Sequence, residues 1–130
     1  MFETRLRAAL TEWLRVDPAL TATLNAVTEE APVRTSAPWL GVVASASTDW
    51  SAKERKGREV RIAVELHCRG DAADTAADLV GAIEARIEDL PAAQTGFVIV
   101  TTQFLRARAE QRPNNLRAVL LEYRFRLLEA

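Results

Sequence analysis

The chain has 130 residues, 48% of them hydrophobic, which suffices for one core and makes a second domain a poor expectation. Its 17 lysines and arginines balance 18 aspartates and glutamates, so overall charge gives no argument for nucleic acid or an anionic membrane as a partner. A single cysteine, Cys68, excludes an internal disulfide, and no apolar run approaches the roughly 20 residues that span a bilayer. Early charges at Glu3 and Arg5 argue against a signal peptide, so the expectation is a soluble single domain over residues 1–130, made in the cytosol.

In chain order, Phe2, Leu6, Leu10, Trp13 and Leu14 recur at three- and four-residue intervals and predict an amphipathic helix. Asp17-Pro18 then sets a capping carboxylate before a proline at the first helical position, starting a short helix to about Leu24. A short strand is expected at Ala26 to Thr28, a connection over Ala31 to Pro38 and a buried strand over Trp39 to Ala44. Ser45 to Gly57 is polar and ends in Lys53-Glu54-Arg55-Lys56-Gly57, which reads as an exposed loop or hairpin tip.

Val60, Ile62, Val64, Leu66 and Cys68 alternate with Arg61, Ala63, Glu65, His67 and Arg69, the clearest strand pattern in the chain. Asp71 and Asp74 open a helix whose stripe of Ala73, Ala76, Val80, Ile83, Ile87 and Leu90 is ended by Pro91. Two β-rich runs follow, Phe97 to Phe104 and Leu116 to Leu127, separated by Arg106 to Asn115 with its Pro-Asn-Asn turn. These two should pair antiparallel. The fold class implied is α+β, an antiparallel or mixed β-sheet with two main α-helices packed on one face.

Chemistry is scarce. A metal site needs several converging ligands, and the one histidine and one cysteine are neighbours on a strand, hence on opposite faces. A surface His67 beside a structural Cys68 is the expectation, with no metal and no cofactor. No G-x-S-x-G, P-loop or G-x-G-x-x-G pattern occurs, and Glu84, Glu88 and Asp89 fall on the polar side of a helix. No enzyme is expected. Two basic clusters remain, Lys53, Arg55, Lys56, Arg58 and Arg61 in the first loop region, and Arg106, Arg108, Arg112 and Arg117 in the second. Solvated turns are the ordinary reading of both. Trp50 sharpens the first, because an aromatic beside arginines in a polar loop is either an interface anchor or folded back on the protein's own core. The candidate subunit or partner interface is therefore Trp50, Lys53, Arg55, Lys56, Arg58, Arg106, Arg108 and Arg112.

The opening helix Leu6 to Leu14 with Asp17-Pro18-Ala19-Leu20, then Ala37-Pro38-Trp39-Leu40-Gly41-Val42-Val43, carries a resemblance that continues along the chain. The strand Glu59 to Gly70, the alanine-rich helix Asp71 to Leu90 and the final strand Arg117 to Leu127 complete it. In this order of elements the chain resembles the tail-terminator, or tail-completion, proteins of tailed bacteriophages, including those of gene transfer agents and prophages. The resemblance implies a structural virion protein made in the bacterial cytoplasm and built into the particle as a ring, a hexamer. Such a ring terminates the tail tube and performs head-tail joining. Its partners would be the tail tube protein and the connector or neck proteins, with DNA passing through without sequence-specific recognition and no membrane involved.

Two other functions compete. A small nucleic-acid-binding α+β module would use the open sheet face, where Arg61, Glu65, His67 and Arg69 offer charge but no aromatic for base stacking. A small enzyme would have to rest on His67 alone.

Overall fold

A computed structural model describes residues 2–30 and 34–130; part of the expected connection over Ala31 to Pro38 lies outside the described residues. The element order is α1 (Phe2–Arg15), α2 (Pro18–Thr21), β1 (Ala26–Thr28), β2 (Trp39–Asp49), β3 (Gly57–Arg69), α3 (Ala73–Glu88), β4 (Ala93–Gln94), β5 (Phe97–Arg112) and β6 (Leu116–Glu129). The strands form one mixed sheet in the order β1-β2-β3-β6-β5-β4. Only β1 and β2 run parallel; every other neighbour is antiparallel. The α+β class expected from the sequence is therefore observed, with the sheet of the mixed kind.

The predicted periodicities build most of the core, although in the α3 stripe Ala73 is exposed and Val80 half-buried. From α1 come Leu6, Leu10 and Leu14, and from α3 come Ala76, Ile83 and Ile87 with Leu79, which the predicted stripe lacks. They join Leu40 and Val42 of β2, Val60 to Cys68 at alternate positions of β3, and Leu121, Tyr123, Phe125 and Leu127 of β6 in one cluster. The two helices are also clamped to each other. Trp13 Nε1 donates to the Arg86 carbonyl at 2.7 Å, Arg86 Nε donates to the Trp13 carbonyl at 2.9 Å, and the guanidinium carbon lies 3.3 Å from the centre of the indole ring. Both cap expectations fail in detail: Asp17 flanks α2 without a side-chain capping bond, and Ala72, not the expected Asp71, flanks α3, also without one.

Two strands run further than their polar sequences suggest. Ser45 to Asp49, expected in a loop, continues β2, so the loop shrinks to 50–56. A β-bulge between Val42 and Ala44 explains how. One extra residue flips the facing of everything after it, so Ser45 and Ser47, not Ala44 and Ala46, lie on the core side opposite Ile62 and Val60. There both serines donate to the Glu3 carboxylate of α1, at 2.6 and 2.7 Å, in place of an apolar contact. Likewise Arg106 to Arg112, expected in the connection, continues β5, which turns at Pro113-Asn114-Asn115 into β6. Asn114 and Asn115 have φ of 66° and 56°, the left-handed pair of a tight hairpin turn, which asparagine tolerates. At the other end of the sheet a Cβ on Gly57 would fall 2.5 Å from the Trp50 carbonyl oxygen and 2.6 Å from that of Leu127. Only glycine lets β2, β3 and β6 converge there.

Candidate assembly interface

The candidate residues are not one patch. Gly57 stands opposite Leu128 and Arg69 opposite Leu116, so β3 separates the 50–56 loop from the β5-β6 turn by its full length, about 40 Å at ~3.3 Å per residue. The first group sits at one end of the sheet, Arg108 and Arg112 approach the other, and Arg106 lies mid-strand.

At the first end Trp50 is half-buried, its backbone N–H bonded to the Gly57 carbonyl at 3.0 Å and its ring 5.5 Å from the Arg126 guanidinium. Arg55 donates from Nε to the Glu129 carbonyl at 3.1 Å and again from a terminal nitrogen, and the Lys56 amide donates to the Glu129 carboxylate at 3.3 Å. The loop is thus tied to the end of β6. Arg58 donates to Ser47 Oγ at 2.9 Å and belongs to the network beneath α1 with Glu3, Ser45 and Arg7. Hydrogen bonds from the two serines, ahead of the nearby Arg7 and Arg58 charges, hold the Glu3 carboxyl below its ordinary range. Lys53 is exposed and has no ion-pair partner among the described residues.

Along β5 the arginines are matched by carboxylates that the sequence reading did not pair with them. Arg106 grips Glu122 of β6 through two bonds of 2.9 and 3.0 Å, which lower the Glu122 carboxyl and raise the guanidinium. Arg112 bonds Glu110 at 2.7 and 3.0 Å and stands 3.4 Å from Glu65 of β3; its bonds likewise lower Glu110. Arg108 reaches Glu110 only at 3.9 Å. The spacing Arg106, Arg108, Glu110, Arg112 is itself a period-2 strand signal, legible once the segment is read as a strand.

His67, expected on the surface, is 9% exposed. Its ring stacks on Trp39 with centroids 4.1 Å apart and 8° between planes, while Nε2 lies 2.5 Å from Glu65 Oε1. Trp39, expected in the core, is half-buried beside it. Cys68 is in the core, and burial raises its thiol, the opposite of what a nucleophile needs. Among the described residues no three histidines, cysteines or carboxylates are grouped to hold a metal ion, and no helix is long and apolar enough to cross a membrane.

Charged residues thus tie neighbouring strands of the sheet together, and the two candidate groups lie towards its opposite ends. The chain belongs to the tail completion protein gp17 family, whose model matches residues 8–128, and it is accordingly a phage-type structural tail protein. Among solved structures, a chain of the virion of a native gene transfer agent particle shares the fold, with a TM-score of 0.77 at 22% identity, over 98% of this chain and 96% of that one. No curated protein matches the sequence.

Proposed function

We propose that the protein is built into a phage or phage-like particle as a hexameric ring that ends the tail tube and joins the tail to the head or neck, with DNA passing through the ring. The family match over residues 8–128 carries this reading. The fold shared with a chain of a gene transfer agent virion supports it. So does the placement of two basic regions at opposite ends of the sheet, since a ring between tube and neck needs two separate axial contacts. The half-buried Trp50 and the unpaired Lys53 are the contact residues at the first end. Arg108 and Arg112 serve the second.

The test is Trp50→Ala combined with Lys53→Ala, read by light scattering of the purified protein and by electron microscopy of assembled particles. The variant should fold normally, because the loop lies outside the core, yet leave tails unjoined or overlong. Tails of normal length joined to heads would refute the role of this loop.

A further inference from the structure

We propose that neighbouring copies join edge to edge, the free edge of β2 in one copy adding antiparallel to the free edge of β5 in the next. This rests on the ring reading above and specifies its lateral contact. Strand coverage leaves the two edges open at matching heights. β1 covers β2 only at Trp39 to Gly41, and the Arg7 guanidinium caps the Val42 carbonyl at 2.9 Å. β4 covers β5 only at Phe97 and Val98, with one further bond from the Ile99 amide to the Ala92 carbonyl. Among the described residues, Ala44 to Thr48 and Thr101 to Arg112 therefore have no strand on their outer side.

The register across the sheet sets these stretches level. One row runs Ala46, Arg61, Arg124, Gln103; the row below runs Thr48, Glu59, Arg126, Thr101. A second copy brought alongside without axial displacement would lay Ser45 to Thr48 against Thr101 to Phe104, with Ala44 level with Arg106.

Composition points the same way. Solitary edges are normally blunted by charge or proline, which discourages pairing. Ala44-Ser45-Ala46-Ser47-Thr48 and Thr101-Thr102-Gln103-Phe104 contain neither, while Arg106, Arg108 and Arg112 crowd the remainder of β5. Bulges bound the open stretches, after Val42 in β2 and on both sides of Thr101 to Phe104 in β5. Of the exposed large apolar side chains among the described residues, Phe104 at 42% sits on this length of β5 and Val100 at 51% in the bulge just before it.

Strand sense fits a cyclic arrangement. β2, β3, β6 and β5 alternate in direction, so β5 runs opposite to β2 within each copy. Rotation about a ring axis preserves the sense of a strand along that axis, so β5 of one copy meets β2 of the next antiparallel. The contact is heterologous, using two different surfaces, as a closed ring requires.

Single-cysteine variants of the full chain test this, with Cys68 replaced by alanine throughout: Ala46→Cys on one side and, on the other, Gln103→Cys with Thr101→Cys and Arg106→Cys as register neighbours. Mixing Ala46→Cys with a β5 variant and oxidising should give a covalent dimer, while Ala46→Cys alone gives none. A chain carrying both cysteines should give a ladder of covalent oligomers ending at the size of the ring. Light scattering of the same samples separates the failures. Ring-sized particles in which no β2-β5 pair cross-links, or in which Ala46→Cys links to itself, overturn the edge contact and leave the ring standing. Protein that stays monomeric at all concentrations and in isolated particles overturns the ring and this contact together.

Discussion

Glu3 shows how one side chain couples α1 to the sheet. Its carboxylate accepts from Ser45 and Ser47, and these bonds lower its pKa from the ordinary 4.5. A carboxyl whose folded value is depressed adds stability above its unfolded value and loses it as the pH falls through the folded one. Glu3→Gln should therefore cost about 1 kcal/mol at neutral pH, the usual scale for a charge-assisted hydrogen bond lost at a partly exposed site. Urea unfolding of the two proteins should converge as the pH drops below 4.5; an equal gap at acid pH would show that charge is irrelevant there. Tyr123 presents the opposite case, a buried hydroxyl with no partner among the described residues, its pKa raised by burial and then by Glu84 and Glu88. Tyr123→Phe should raise stability by up to about 1 kcal/mol, because an unpaired buried hydroxyl is removed while the ring stays. It should also flatten the loss of stability above pH 10, where an unfolded tyrosine ionises and the buried one resists. A destabilised Tyr123→Phe in thermal melts would reveal a hydrogen bond to the hydroxyl in solution.

At the scale of elements, legibility tracked how far the hydrophobic period survived. β3 and β6 were plain because apolar residues alternate from Val60 to Cys68 and from Val119 to Leu127, and α1 and α3 because apolar residues recur at helical spacing. The outer halves of β2 and β5 were not, since serine and alanine fill positions where a strand would ordinarily show valine or isoleucine, and bulges break the alternation. The site suffered in the same way. Arginine-rich segments look alike whether solvated or paired: the carboxylate that grips Arg106 is Glu122 of β6, and Arg112, bonded to Glu110 on its own strand, also stands beside Glu65 of β3. The Trp13-Arg86 clamp was equally hidden, being a contact between helices 73 residues apart in sequence. Arg86→Met keeps much of the aliphatic stem but removes the donor and the cation over the indole, so it should destabilise by about 1–3 kcal/mol. Arg86→Lys keeps the charge without the planar guanidinium and should recover only part of that loss. Full recovery in chemical denaturation would reduce the clamp to simple charge.

For the molecule as a whole, the length of β3 makes the two basic ends independent. Residues about 40 Å apart on a rigid sheet share no partners, so substitutions at the two ends should act additively. Lys53→Glu reverses an exposed charge that no acidic group holds, and Arg108→Glu reverses one that reaches Glu110 only at 3.9 Å, so neither should lower the melting temperature by more than a degree or two. If the two ends meet different partners in the particle, each variant should lose one axial contact and keep the other. One would give tails of uncontrolled length, and the other finished tails detached from heads. Electron micrographs of lysates from the two variants distinguish these outcomes directly. The same defect from both variants would mean that the two ends serve a single contact, and two-faced placement within the ring would then have to be abandoned even with the ring intact.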